Sequence, residues 1–308
     1  MSRTLPRGLI VRDDTLTWEH GETWFRVYGE IDPAAEQVPV VVLHGGPGAG
    51  SDYTWPMAEL IHESGRAVVV YDQLGCGRST HLVDAPADLW TVQLFKDELQ
   101  AMLDHLGMAG RYVLVGQSWG GMLALDWALD ERPGLVALGI CDSPASIELW
   151  VQEADRLRAD LPADVDETLR LHEAAGTTDD PAYVAAVQVF YDRHLCRVPP
   201  PACVQASFDQ MAAEPTVYHT MWGPSEFFCT GSLRTWDVTD ELHRISVPTL
   251  LVSGRYDEAT PLVVGTIHDR ITGSEWVVFE ESSHMPHVEE PAKFKAVVTS
   301  FLAEHDRP

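Results

Sequence analysis

The amino-acid sequence predicts an α/β fold, a mostly parallel sheet with helices on both faces and an inserted helical cap. Three observations lead there. Short apolar runs alternate with helical patterns, the runs end at glycine-rich or acidic loops, and the rhythm stops between residues 147 and 236 before it returns. Strand and helix in alternation mean βαβ units, whose parallel strands are buried on both faces.

The elements follow in chain order. Val38-Pro39-Val40-Val41-Val42-Leu43 and Ala67-Val68-Val69-Val70-Tyr71 are apolar runs of strand length, the first ending at a glycine loop and the second at Asp72. Val92, Phe95, Leu99, Met102, Leu103 and Leu106 then share one face at helical spacing. A third strand, Tyr112-Val113-Leu114-Val115, leads into the glycine-rich segment 116–121, followed by a helix over 122–129. A fourth strand over 135–141 ends at Asp142-Ser143-Pro144. Residues 147–236 carry helix-like segments with Trp150, Tyr183, Phe190, Tyr191, Phe208 and Trp222, broken by Pro199-Pro200-Pro201. Strands over 247–252 and 276–279 and a helix over about 291–302 complete the chain. We expect one core made of residues 1–145 and 237–308, interrupted by a cap over 146–236.

Composition narrows the class of function. The chain has 308 residues, 45% hydrophobic and 22% charged, which is ordinary for a globular protein and enough for a sizeable core. No apolar run reaches the ~18 residues that span a bilayer, and residues 1–7 lack the features of a secretory signal. A cytoplasmic location is the expectation. The formal charge of -26, from 21 Lys+Arg against 47 Asp+Glu, disfavours nucleic acid and anionic membranes as partners. Five cysteines without metal-ligand spacing suggest reduced thiols, no disulfide framework and no metal.

Chemistry concentrates at the predicted strand ends. Gly116-Gln117-Ser118-Trp119-Gly120 matches the G-x-S-x-G nucleophile elbow in the strand-to-helix context this motif requires. Ser118 is the expected nucleophile of an α/β-hydrolase fold. His44-Gly45-Gly46-Pro47-Gly48 resembles the loop that supplies part of an oxyanion hole, with Gly46 as one donor and the Trp119 amide as the other. Asp257 and His284 stand late in the chain beyond strands, in the order serine, acid, histidine. Asp237 and Asp240 compete for the acid, and His287 for the base. Cys76, in a Gly-Cys-Gly turn, lacks a sequence context that would activate it, and Arg78 and Asp72 are expected to tie down its loop.

These blocks, with Tyr71-Asp72-Gln73-Leu74-Gly75-Cys76-Gly77-Arg78-Ser79, Gly254-Arg255-Tyr256-Asp257 and Ser283-His284, resemble the proline iminopeptidase (prolyl aminopeptidase) family of α/β-hydrolases. The resemblance spans the core from about Val38 onward. It implies a serine aminopeptidase that releases an N-terminal residue, often proline, from peptides, amides or arylamides, without a cofactor. It also implies Ser118 as nucleophile and Gly46 and Trp119 as oxyanion donors. The segment Gly223-Pro224-Ser225-Glu226-Phe227 and the pair Asp257-Glu258 resemble the branch of the tricorn-interacting aminopeptidase, which implies that Glu226 and Glu258 hold the substrate's ammonium. Two carboxylates beside the nucleophile would compensate a buried cation and tell a free N-terminus from an internal peptide. Leu74 stands where many strict proline enzymes have arginine, which points to a broader preference. An amino-acid amidase or small-ester hydrolase with the same triad is the alternative, and a non-catalytic small-molecule receptor is a third reading.

Overall fold

The computed structural model describes residues 10–306 apart from residue 33. Its strands are β1 (Val11–Trp18), β2 (Gly21–Tyr28), β3 (Val40–Leu43), β4 (Val68–Tyr71), β5 (Tyr112–Gln117), β6 (Leu135–Cys141), β7 (Thr249–Gly254) and β8 (Glu275–Phe279). They form one sheet in the order β1-β2-β4-β3-β5-β6-β7-β8, parallel from β4 to β8, with β1 and β2 joined antiparallel at one edge. The helices are α1 (Trp55–His62), α2 (Val92–His105), α3 (Trp119–Leu129), α4 (Ile147–Arg158), α5 (Ala163–Ala175), α6 (Pro181–His194), α7 (Ala202–Ala213), α8 (Thr216–Met221), α9 (Pro261–His268), α10 (Pro286–Glu289) and α11 (Pro291–Glu304).

The two-residue period of the strands sorts their side chains into two cores. Val40 and Val42 of β3, Val113 and Val115 of β5, and Leu250 and Val252 of β7 pack with Met57 and Ile61 of α1 and Phe294, Val298 and Phe301 of α11. The alternate residues Val41, Leu43, Leu114, Leu138 and Leu251 pack on the opposite face with Phe95, Leu99 and Leu103 of α2, Leu123 and Trp127 of α3 and Ile267 of α9. These strands are buried on both faces, so they read as continuous apolar runs. At roughly 25 cal/mol per Å² of apolar surface, each such side chain contributes on the order of 2 kcal/mol before the entropic cost of ordering it.

The hairpin β1–β2 is an addition to the elements read from sequence. Trp18 and Gly21 flank a two-residue Glu19-His20 turn. Four consecutive side chains of β1, from Arg12 to Thr15, are exposed, so the strand shows no apolar pattern. The helix after β5 also begins earlier than its apolar residues suggest, at Trp119 directly after Ser118.

Between β6 and β7 lie α4 to α8. Ser146 accepts the Leu149 N–H at the start of α4, and Asp180 accepts the Ala182 N–H at the start of α6 with Pro181 in its first turn. The proline run at 199–201 separates α6 from α7, since proline cannot continue a helix. Leu157, Leu169, Tyr183, Phe190 and Phe227 form a small apolar core within this region. Its helices stand over the carboxyl ends of the parallel strands, where α/β sheets present their loops.

Candidate active site

Ser118 follows β5 immediately, with φ 55° and ψ -122°, a conformation rarely adopted by a residue with a side chain. The turn closes because its flanks are glycines. A Cβ at Gly120 would stand 2.1 Å from the Leu43 carbonyl oxygen, and one at Gly116 would stand 2.2 Å from the Gly120 carbonyl oxygen. The Ser118 N–H donates to the Cys141 carbonyl (2.9 Å), and the Ser118 carbonyl accepts from the Ser143 hydroxyl (2.8 Å). The elbow is thereby bound to the end of β6.

Asp257 and His284 arrive from the loops after β7 and β8. His284 Nδ1 lies 2.7 Å from Asp257 Oδ1, which also accepts the Ala259 N–H at 2.9 Å. Nδ1 is therefore the donor, and Nε2 is left to face the cavity as the basic nitrogen. Burial lowers the basicity of His284, but the charge and hydrogen bond of Asp257, with Glu226 and Glu289 farther off, outweigh it and raise the imidazole above the ordinary histidine range.

The competing residues lie elsewhere. Asp237 accepts the Thr239 N–H (2.8 Å), and the exposed Asp240 uses its carbonyl to meet His243. His287 is buried with Nε2 on the Tyr53 carbonyl (3.1 Å), and burial lowers it to about 4. Cys76 does have a histidine beside it, His44, with Sγ 3.6 Å from Nε2. That nitrogen already accepts the Gln73 N–H at 3.0 Å, the thiol donates to the Gln73 carbonyl, and burial raises the thiol well above its ordinary value. Burial and the Asp72 and Glu98 charges outweigh the backbone bonds at Gly50 and Gln73 that favour a thiolate. Arg78 bridges Asp72 and Asp52 at 2.8 and 2.7 Å, holding the loop as expected.

Gly46 and Trp119 lie on two converging loops. The neighbouring Gly45 N–H is consumed by the Tyr53 hydroxyl (2.6 Å), whereas among the described residues the Gly46 N–H and the Trp119 N–H have no acceptor. Trp119 is the first residue of α3, where helical N–H groups point outward unpaired. Three side chains to which sequence reasoning gave no role, Tyr53, Gln117 and Gln73, fix these loops. Tyr53 donates to Gln117 Oε1, and Gln117 Nε2 donates to the His284 carbonyl (2.9 Å), while Gln73 Oε1 accepts the Trp119 indole N–H (2.9 Å). Elbow, glycine loop and histidine loop form one hydrogen-bonded frame.

Glu226 lines the cavity with Ser118 and His284, and Glu258 is buried beside His284. Glu258 Oε1 lies 3.8 Å from His284 Nε2, and among the described residues neither Glu258 oxygen has a hydrogen-bond donor, although the residue is fully buried. Glu226 accepts the Tyr218 hydroxyl at 2.8 Å, its N–H donates to the Tyr191 hydroxyl, and its carbonyl accepts the Trp150 indole N–H (2.8 Å). Burial raises both carboxyls above the usual range; the charges of Glu226 and Asp257 add to this for Glu258, whereas His284 and the Tyr218 hydroxyl oppose it for Glu226. Ser118, His284, Glu226 and Gly46 line one cavity of about 30 Å³, closed on its other side by Tyr53, Phe208 and Met211. The aromatics of residues 147–236 therefore divide. Trp150 packs edge-on against His284 at 5.8 Å and Tyr218 orients Glu226, while Tyr183 and Phe190 belong to the small core.

The arrangement combines a strained serine, an imidazole held by a carboxylate, two amides without an acceptor among the described residues, and two buried acidic side chains. Comparison with known proteins agrees with its fold and chemistry. The family model for the alpha/beta hydrolase fold matches residues 38–291. The proline iminopeptidase of Lactobacillus helveticus (strain DPC 4571) is 36% identical over 92% of this chain and 95% of its own length. The crystal structure of the proline iminopeptidase of Mycobacterium smegmatis superposes with a TM-score of 0.88 at 48% identity, covering 96% of this chain and 99% of the other. That of VinJ superposes at 0.92, also with 48% identity and the same coverage. With the elbow, the late acid and histidine, and relatives aligned from end to end, the chain belongs to the proline iminopeptidase family of α/β-hydrolases.

Proposed function

We propose that the protein is a serine aminopeptidase that releases an N-terminal residue, proline among a broader set, from peptides, amides or arylamides. The observation that carries this reading is the position of Glu258, 3.8 Å from the basic nitrogen of His284. In an aminoacyl substrate the α-nitrogen is one carbon from the carbonyl that the serine attacks. A site for that ammonium must therefore abut the triad, and a buried carboxylate pair there answers a cation that is costly to desolvate unpaired.

In this mechanism His284 Nε2 takes the proton of Ser118 as its oxygen attacks the carbonyl, and the Gly46 and Trp119 amides stabilise the resulting oxyanion. The imidazolium then gives its proton to the leaving amine, and the aminoacyl ester remains on Ser118. Water, deprotonated by the same nitrogen, attacks the ester and frees the amino acid and the serine. Glu226 and Glu258 hold the ammonium throughout both halves. Residues 146–236 act as the cap that supplies Glu226 and closes the cavity over a core of residues 1–145 and 237–308. Among the described residues no helix is long and apolar enough to cross a membrane, and the five cysteines form no disulfide there, in keeping with a cytoplasmic enzyme.

The direct test is a matched pair of arylamides. Prolyl and alanyl arylamides are expected to be cleaved, and their N-acetyl derivatives to lose cleavage almost completely, because acetylation removes the cation and adds bulk at a closed end. Unimpaired cleavage of the acetylated compounds would make the enzyme a general amidase.

The same geometry sets the pH dependence. Only neutral His284 accepts the serine proton, and its raised basicity places the acid limb of kcat/KM above pH ~6.5, the ordinary histidine value. A bound ammonium neutralises the carboxylates that favour the imidazolium and adds a positive charge nearby, so both effects lower the histidine in the complex. The acid limb of kcat is expected about one unit below that of kcat/KM. Coincident limbs measured with an alanyl arylamide would place the cation away from the histidine.

A further inference from the structure

We propose that Asp142 is a positioning residue whose carboxyl group donates a hydrogen bond to Asp257 and so fixes the acid of the triad. Asp142 directly follows β6, next to β7, whose following loop carries Asp257, and it is fully buried with φ 53°, an angle a residue with a side chain rarely adopts. Its backbone is pinned there by donation of its N–H to the Val252 carbonyl (2.8 Å), and its Oδ1 accepts the Gly254 N–H at 3.2 Å. That bond sets its carboxyl against the end of β7, three residues before Asp257, whose charge acts on it. Among the described residues Asp142 Oδ2 and Asp257 Oδ2 are both buried with no hydrogen-bond partner.

Two neighbouring buried carboxyls, each with one oxygen that meets no donor, disfavour double ionisation, so the pair holds one proton in an O–H···O bond between those oxygens. The accepting side is set by the other donors. Asp257 Oδ1 already receives the His284 and Ala259 N–H groups, which stabilise its anion, whereas Asp142 receives only one backbone N–H. The proton therefore resides on Asp142. Burial, the charge and hydrogen bond of Asp257, and Glu289 on α10 all push the Asp142 carboxyl well above the usual range, against the Gly254 N–H. The other titratable groups around it are Cys141 on its own strand and Tyr53 beyond the glycine loop. His284 is reached through Asp257, and Glu226 and Glu258 face His284 from its far side.

A neutral donor on Asp257 locks the carboxylate plane and draws off part of its charge, which keeps His284 from becoming too basic to stay neutral at working pH. The test uses an ester substrate without an amine, so that no substrate ammonium titrates. Asp142→Ala is expected to lower kcat/KM about 10- to 100-fold, the loss of one hydrogen bond to a charged group, and to move the acid limb up by about half a unit or more. Asp142→Asn retains an N–H donor without charge, so it is expected to restore most of that loss with the acid limb of the unaltered enzyme. A limb that falls by about one unit in Asp142→Asn would mean that the native residue is an anion, and would overturn the proposal. Equal losses in both variants with an unmoved limb would reduce Asp142 to a structural role and overturn it equally. The inference rests on the triad reading, whose own failure would show separately as ester hydrolysis surviving in Ser118→Ala.

Discussion

Replacing Ser118 with alanine is expected to lower kcat on amide and ester substrates alike by about four to six decades while leaving the fold intact. The serine and its base act as one unit, so the acyl-enzyme route is lost whole; what remains is the smaller acceleration from bound substrate and oxyanion donors. Stability is insulated from the change. The elbow is held by the Ser118 backbone, through the Cys141 carbonyl and the Ser143 hydroxyl, and by glycines that alanine at 118 does not disturb. A thermal midpoint within a few degrees of the unaltered protein, with labelling by a fluorophosphonate abolished, is the expected result. His284→Ala is expected to match the kinetic loss. His287→Ala removes a bond to the Tyr53 carbonyl and costs packing, but it does not touch Asp257. An active Ser118→Ala, or an inactive folded His287→Ala beside an active His284→Ala, would refute the triad.

Much of this site is legible in the sequence because its chemistry depends on backbone constraints that only a few residue types satisfy. Gly116 and Gly120 are required by close approaches of about van der Waals contact or less, so the elbow appears as a short local motif. Asp257 and His284 are separated by β8 yet fall into place because parallel strands deliver their loops to one edge of the sheet. Val40, Val42, Val113 and Val115 read as strands because both sheet faces are covered. The hairpin at β1 and β2 was not legible, since its edge strand exposes consecutive polar residues and owes its pairing to β2 rather than to its own pattern. Asp142 escaped for a different reason. It ends a predicted strand like many acids, and only the register of β6 against β7 brings it to Asp257. Tyr53 and Gln117 likewise act through contacts across 64 and 167 residues of chain, which no local spacing encodes. His44 beside Cys76 shows the reverse case, a pair with the residue types of a nucleophile and base that its hydrogen bonds leave inert.

Glu258→Gln is expected to separate recognition from catalysis. The substitution keeps the shape of a fully buried side chain and removes its charge, which leaves the substrate ammonium with Glu226 alone. Truncating one side of a desolvated ion pair costs about 3 to 5 kcal/mol, or roughly two to four decades in kcat/KM. Glu226 cannot compensate fully, since its Oε1 is already engaged by Tyr218. An ester with no amine uses Ser118, His284 and the same amides but asks nothing of the carboxylates, so it serves as the internal control. The amide in Glu258→Gln also removes a carboxylate 3.8 Å from His284 Nε2, which favours the neutral imidazole and extends ester hydrolysis to lower pH. Aminoacyl-arylamide activity should therefore fall by decades while ester activity at neutral pH holds within about an order of magnitude. Equal losses on the two substrates would mean that Glu258 supports the histidine rather than the substrate. Ester activity preserved together with undiminished arylamide cleavage would remove the carboxylate pair from recognition altogether, and with it the reason for calling the enzyme an exopeptidase.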